Sequence, residues 1–379
     1  MNGTLIIGGG LAGAASAALL AKAGQRVTLW ERERHPHHKV CGEFLSGEAV
    51  AWLRTLDIDV TALGASHLTH VRVTSGSRAV AAKLPFAAAG LSRRVLDEAL
   101  LDRAAALGAE VERGVTAREI AGDSVQSSHG SVAPARILLA TGKHELRGAR
   151  RDSAGTLNGL VGFKTHLRLL PGQRAALAGH VELHLFPGGY AGLQMVERDA
   201  ANLCLLLSPE RLAASGGSLD GVIDGFVADA PLLAARLHGA TALFDRPLAI
   251  SGVPYGFLHR AAPGETLFRL GDQAAVIPSF CGDGMAIALH SARLAANALL
   301  LGQPPAAYHD QVERDVGRPV RLAARAQRLV GTGGSGHPRL LSLAALWPGS
   351  LALAARLTRV PGSALRRAGL VQDTRPPPR

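Results

Sequence analysis

Gly8, Gly10 and Gly13 stand at the spacing G-x-G-x-x-G, and an acid, Glu31, follows 18 residues after the last of them. Gly8 permits a tight turn, Gly10 lets the backbone approach a diphosphate with no Cβ in the way, and Gly13 lets a helix pack closely on a strand. Leu11 and Ala12 complete the turn, whose free N–H groups at a helix start attract anionic oxygen. A carboxylate at Glu31 can accept hydrogen bonds from both ribose hydroxyls of a dinucleotide. The same acid repels a 2′-phosphate, so NADP is excluded here, and NAD and FAD both remain.

Such residues need a strand–helix–strand frame, and the sequence supplies one. Thr4-Leu5-Ile6-Ile7 is a β-rich run, the Ala/Leu stretch through about Ala23 reads as a helix closed by Gly24, and Arg26–Trp30 reads as a strand ending in Glu31. Further on, Ser92-Arg93 opens a helix, where Arg93 can add a charged donor to a buried diphosphate. Ile137-Leu138-Leu139 runs into Ala140-Thr141-Gly142. Phe268-Arg269-Leu270-Gly271-Asp272 is followed by Pro278, then by Cys281-Gly282-Asp283-Gly284-Met285 and a helix from about Ala286.

In order and spacing these segments resemble the FAD-dependent superfamily of aromatic hydroxylases (group A flavin monooxygenases) and geranylgeranyl reductases, over most of residues 3–300. The resemblance implies FAD as the cofactor, with NAD(P)H or a reduced partner protein as electron donor. It implies that Asp272 hydrogen-bonds the ribityl chain, that Pro278 turns the chain, and that Cys281, Gly282, Gly284 and Met285 line the pyrimidine edge of the flavin. Arg93 would reach the pyrophosphate, Val115 would lie near the adenine, and Arg32, Ala140 and Gly142 would flank the cofactor. Cys41, in Lys39-Val40-Cys41-Gly42-Glu43, resembles the K-x-C-G-E/G segment of the reductases. It is a candidate proton donor or substrate contact, or else a small residue packed against the flavin.

The sequence also departs from the family. Aromatic hydroxylases carry A-D-G where Ala140-Thr141-Gly142 stands, which puts docking of NAD(P)H in that style in doubt. Prenyl-lipid reductases carry Y-x-W-x-F-P, of which Gly188-Gly189-Tyr190-Ala191-Gly192 keeps only Tyr190, the second catalytic candidate. Halogenases of this fold carry W-x-W, which is absent, so halogenation is not expected.

Residues 150–250 read as antiparallel strands, Val181–Phe186 and Asn202–Leu207 among them, forming a sheet over the flavin with Tyr190 near the substrate and His184 either beside it or, the preferred reading, on the sheet surface. After Gly302 the pattern turns helical and basic. Leu340–Trp347 and Leu351–Ala355 are apolar, broken by Pro348-Gly349, and flanked by Arg356, Arg359, Arg366 and Arg367. Two readings stand for them: a lid on the substrate domain, or an anchor giving peripheral contact with acidic lipid. The tail Thr374–Arg379 reads as disordered. The expected fold class is α/β, a doubly wound, Rossmann-like FAD-binding domain with an antiparallel β-sheet substrate domain and a helical C-terminal extension. Its bounds are 1–150 for the first part of the FAD domain, with an excursion at about 60–90 into the substrate domain. The substrate domain proper is 151–250, the second FAD part 251–302 and the extension 303–379.

Composition narrows the classes further. The 379 residues are 47% hydrophobic, enough for a large core, which excludes wholesale disorder. Lys and Arg exceed Asp and Glu by 41 to 30, a net +11 that favours anionic partners. No helix-turn-helix or RNA-binding signature accompanies it, so no nucleic-acid partner is expected. Cys41, Cys204 and Cys281 are too few and too scattered for a disulfide framework, which suits a reducing compartment. The amino terminus lacks the basic start of a signal peptide, and no run of about 18 apolar residues occurs. The expected location is cytoplasmic, with contact at the inner membrane face left open. His35, His37 and His38 near Cys41, and His67 with His70, are not expected to hold a metal.

Three functions remain. The first is a monooxygenase acting on a hydrophobic small molecule, an aromatic polyketide or quinone-like lipid. The second is a geranylgeranyl-reductase-like reductase of prenyl or alkene double bonds, with Cys41 giving the proton. The third is a non-catalytic prenyl-binding escort of the same fold, which the retained Glu31, Arg93 and Gly271-Asp272…Pro278 disfavour.

Overall fold

The computed structural model describes residues 3–331, 347 and 349–370. Five parallel strands form its frame: β1 (Thr4–Ile7), β2 (Val27–Glu31), β6 (Glu110–Arg113), β10 (Arg136–Leu139) and β17 (Leu267–Arg269), in the order β17-β10-β1-β2-β6. Ile7 pairs with Trp30 and with Leu139, so the carboxyl ends that deliver Gly8, Glu31 and Ala140 converge. β1 and β2 are buried along their whole length, which is why they read as continuous rather than alternating apolar runs.

One face of this sheet carries α1 (Leu11–Lys22), α3 (Arg93–Ala106) and α9 (Gly284–Leu300), with α2 (Gly47–Thr55) packed on α9. α1 is buried nearly all round, because its alanines let both α3 and α9 press against it. The other face, formed by Leu5, Ile7, Trp30, Ile137 and Leu139, packs under a three-stranded meander of β7 (Ala117–Ala121), β8 (Ser124–Ser127) and β9 (Gly130–Val132).

The second sheet has nine strands. β15 (Thr241–Ala242), β11 (Val161–Arg168), β14 (Ala201–Leu207), β13 (Gly189–Met195), β12 (His180–Phe186), β4 (Ser66–Ser75), β5 (Arg78–Gly90) and β3 (Phe44–Leu45) follow in that spatial order, and β16 (Leu248–Ser251) pairs with β11. All pairs are antiparallel except β12 with β4. The expectation that 150–250 is made of strands needs correction. Five short helices interrupt it: α4 (Pro171–Leu177), α5 (Pro209–Ala214), α6 (Leu219–Asp224), α7 (Phe226–Asp229) and α8 (Pro231–Leu237). Three of them begin with proline at the first turn, where its missing N–H costs nothing, so residues that look like breakers are starts. Val222, Phe226 and Leu233 cover one face of the sheet with Phe186 and Leu203. The opposite face, turned to the first domain, encloses a cavity.

Among the described residues three helices follow: α10 (Pro305–Gly331), α11 (Gly349–Leu357) and α12 (Gly362–Arg367). Asp315 of α10 takes His290 Nε2 of α9 at 2.9 Å and Arg367 Nη2 of α12 at 2.8 Å, tying the extension to the frame. The expected segment Leu351–Ala355 lies within α11; residues 340–346 and the tail 374–379 lie outside the described residues. No helix among the described residues is long and apolar enough to cross a membrane.

Candidate functional site

A continuous cavity of about 1160 Å³ runs from the glycine turn to the inner face of the second sheet. At its first end the turn is closed as its glycines require. Gly8 has φ +108°, and a Cβ there would lie 2.4 Å from the Ala140 carbonyl oxygen; a Cβ on Gly13 would lie 1.9 Å from that of Gly8. Gly10 opens on the cavity instead. A Cβ there would stand 3.3 Å from Arg93 Nη2 and 3.7 Å from Lys39 Nζ, so two cationic heads overhang the place where a diphosphate would lie. Both heads also hold Asp97, Arg93 through two bonds of 2.7 and 2.9 Å and Lys39 at 2.9 Å. Burial pushes the Asp97 carboxyl up, but these two cations outweigh it and hold it below its ordinary range.

Glu31 is buried at the tip of β2. Its Oε2 accepts from Gly9 N at 2.9 Å and its Oε1 from Glu33 N at 3.0 Å, leaving each oxygen a lone pair for a ribose hydroxyl. Val115, whose N–H donates to the Glu31 carbonyl oxygen at 3.1 Å, lines the same end, as does Arg32. At the far end of the cofactor cleft, Gly271 and Gly282 adopt φ +58° and +69°. The Asp272 carboxylate, on the cavity wall, accepts no hydrogen bond from the described residues. α9 starts beside it without a side-chain cap, so its first-turn N–H groups remain available to a ligand. Two cations over Gly10 that share the single Asp97 carboxylate, an Asp272 carboxylate with no donor among the described residues and the seated Glu31 are a set that fits a flavin adenine dinucleotide.

Of the residues expected to bind cofactor, Gly8, Gly10, Leu11 and Ala12 line the cavity. So do Glu31, Arg32, Cys41, Arg93 and Val115, and likewise Ala140, Gly142, Asp272, Gly282, Gly284 and Met285. Gly13 and Pro278 do not; both are buried behind the wall, Gly13 under the turn and Pro278 ahead of the short helix Ser279–Cys281. Lys143 was missed. It is half-buried on the wall and its Nζ donates to the Val40 carbonyl at 2.7 Å. Burial works against its charge, but Tyr255, Asp272, Cys41 and Cys204 outweigh it, so its pKa lies above the ordinary range. Its only signal was its place directly after Ala140-Thr141-Gly142.

Beyond the cofactor cleft the wall turns apolar. Along β12, Val181, Leu183 and Leu185 face the cavity while Glu182, His184 and Phe186 are buried behind it, as strand alternation dictates. Of the two places open to His184, the one beside substrate is therefore ruled out, and on the other face of the sheet it is buried rather than at the surface. It is 1% exposed on the opposite face, bonded to Thr74 Oγ1 at 2.7 Å and Glu182 Oε2 at 3.2 Å. Tyr190 does line the cavity. Burial drives its hydroxyl well above the usual phenol range, so it stays protonated, and among the described residues its oxygen has no hydrogen-bond partner. Beside it Ser279 Oγ donates to Tyr255 Oη at 3.0 Å. Cys41 lines the junction of the two halves, its Sγ 3.4 Å from Glu43 N. Burial pushes the Cys204 thiol up to about 11 and that of Cys281 to about 12, so neither is a thiolate at neutral pH.

The loop bearing Cys41 is fastened from beneath by a network that sequence reasoning missed. Glu43 is 0% exposed and held at φ +57°, a left-handed conformation unusual for its type. Its carboxylate accepts from Lys164 Nζ and from Arg93 N at 2.8 Å, and meets His166 Nε2 at 2.7 Å. Burial opposes its ionisation, yet His166 and Lys164 prevail and lower its pKa. Gln194 Nε2 donates to the Glu43 carbonyl at 2.8 Å, and Asn202 Nδ2 to that of Gly42 at 2.9 Å. Four strand residues far apart in sequence thus hold one loop, which no local pattern announces. His38, Glu43 and His166 bring ligand atoms within 4.8 Å of one another, a grouping not foreseen for His38. The Lys164 ammonium already sits on that carboxylate.

Comparison with known proteins agrees with this geometry. Residues 2–145 match the family model described as FAD binding domain. The chain is 27% identical to the flavin-dependent halogenase armH3 of Armillaria mellea over 338 residues, 78% of this chain and 66% of that relative. It is 25% identical to menaquinone reductase of Mycolicibacterium smegmatis over 323 residues, 79% of this chain and 76% of the relative. The chain therefore spans just under two thirds of the halogenase's length. Among solved structures, the flavin-dependent brominase Bmp2 superposes with a TM-score of 0.74 at 18% identity, covering 94% of this chain and 93% of that one. PqsL of Pseudomonas aeruginosa, described as "a probable FAD-dependent monooxygenase", gives 0.70 at 16% identity, covering 90% and 99%. At such identities the likeness to solved structures is one of fold.

Proposed function

From a chain that belongs to the superfamily of FAD-dependent oxidoreductases, we propose a monooxygenase whose substrate is an aromatic polyketide or quinone-like lipid. The observation that carries this reading is the continuity of the cavity. A polar end built of Tyr190, Tyr255 and Ser279 opens directly into an apolar wall of Val181, Leu183 and Leu185. A phenolic or quinoid head fits the first and a hydrocarbon tail the second.

Gly10, Arg93 and Lys39 would hold the diphosphate of FAD, Glu31 its ribose, and Asp272 its ribityl chain. Bound FAD would supply the redox chemistry, with NAD(P)H or a reduced partner protein as the electron source and O2 as the oxygen source, one oxygen atom going to substrate and the other to water. The protein's own contribution is position and dryness. The protonated Tyr190 hydroxyl, without a partner among the described residues, donates to the oxygen of the substrate head and fixes the ring. Burial of the apolar wall keeps water from the reacting carbon.

A second reading, reduction of an alkene, is favoured by Cys41, whose thiol lies on the cavity wall where it could give a proton. The similarity to menaquinone reductase points the same way. Rapid mixing separates the two. Reduced holoprotein is mixed with a long-chain alkylphenol plus oxygen, and separately with a menaquinone under anaerobic conditions. Hydroxylated phenol formed only with oxygen supports the monooxygenase; a saturated menaquinone side chain formed without oxygen supports the reductase and overturns our first reading.

A further inference from the structure

We propose that the C-terminal half of α10 together with α11 docks on the anionic surface of a lipid bilayer, with the mouth of the cavity turned toward the acyl chains. This surface stands whichever reaction the site performs. Residues 316–372 contain nine arginines and no lysine, aspartate or glutamate, so 57 residues carry most of the net charge of the chain. Arg318, Arg325 and Arg356 are exposed on α10 and α11. Among them stand Leu322, Trp347, Leu353 and Leu357, at 37%, 60%, 44% and 44% exposure, four of the nine exposed large apolar side chains among the described residues. Leu322 and Leu357 also line the cavity, so they mark a place where it meets solvent.

Basic side chains interleaved with exposed leucine and tryptophan are what an interfacial helix offers to acidic headgroups and the hydrocarbon beneath them. The charge argues against the other occupants. A second copy meeting this face through a two-fold axis would set arginine against arginine. A nucleic acid would engage the arginines and leave the leucines exposed to water. A bilayer satisfies both.

The test is flotation of the FAD-loaded full chain with vesicles of phosphatidylcholine alone and of phosphatidylcholine containing phosphatidylglycerol. The expected result is flotation with the anionic vesicles, little with the neutral ones, and release by high salt. The double variant Trp347→Asp, Leu353→Asp, whose residues touch neither the cavity nor a core, should bind anionic vesicles about tenfold more weakly. Arg325→Glu with Arg356→Glu should lose the preference for phosphatidylglycerol. Flavin absorbance and the unfolding midpoint of each variant should match those of the parent. Equal flotation with both vesicle types, none with either, or variants that float like the parent would overturn the proposal. So would sedimentation showing a dimer abolished by the leucine–tryptophan variant, or a gel shift of RNA tighter than vesicle binding.

Discussion

Glu31 supports the glycine turn through Gly9 N and the start of the following loop through Glu33 N, so its carboxylate is seated before any ligand arrives. Glu31→Ala removes the ribose acceptor and its seating together. Hydrogen bonds to a charged group contribute about 1.5–3 kcal/mol, and FAD affinity should fall roughly 10- to 100-fold, measured by fluorescence titration of the apoprotein. Tyr190 differs in kind, because its hydroxyl has no partner among the described residues and it lines the cavity beside the apolar wall. Tyr190→Phe should leave FAD affinity unchanged and lower kcat/KM about tenfold, the weight of one neutral hydrogen bond. A change in flavin content with no change in turnover would assign Tyr190 to the cofactor instead.

At the scale of elements, α1 and β1 approach so closely that Gly13 has no room for a methyl group: its Cβ would lie 1.9 Å from the Gly8 oxygen. Gly13→Ala should destabilise the protein by about 1–3 kcal/mol, read as a lowered denaturation midpoint, and should weaken FAD binding because the turn moves with the helix. The loop of Cys41 depends on a different tie, between Glu43 and the strand residues Lys164 and His166. Glu43→Gln leaves the fully buried Lys164 without its carboxylate, at a cost of about 3–5 kcal/mol. Both effects appear in chemical denaturation, and an unchanged midpoint in either variant would contradict the packing described. The glycine turn, β1, α1 and β2 were legible because each is a local pattern. The Glu43 network was not legible, since its members lie on β11, β13, β14 and the loop before β3.

For the whole molecule, acid sensitivity should trace to the outer face of the second sheet. Glu182 joins β12 to Arg72 of β4 and Arg236 of α8. Burial pushes its carboxyl up, but His184 and Arg236 outweigh burial and hold it at about 2 against an ordinary 4.5. A depressed carboxyl stabilises the fold above its unfolded pKa and loses that contribution as pH falls through the folded value. On the order of 3 kcal/mol should therefore disappear between about pH 4.5 and pH 2. Glu182→Gln should flatten this part of the stability profile followed by circular dichroism.

Local spacing alone determined the dinucleotide turn, its acid and the strand–helix–strand unit that carries them, because each is set by neighbours a few residues away and a turn or helix start needs no distant partner. The Asp272 elbow was legible through its resemblance to a family. Tertiary structure decided the rest. His184 was turned away from the cavity by strand parity, prolines became helix starts, and Lys39, Lys143 and Glu43 were brought to the site by strand pairings across tens to hundreds of residues. Side-chain direction and long-range contact depend on which strands become neighbours, and that is fixed only when the two sheets close over a common cavity.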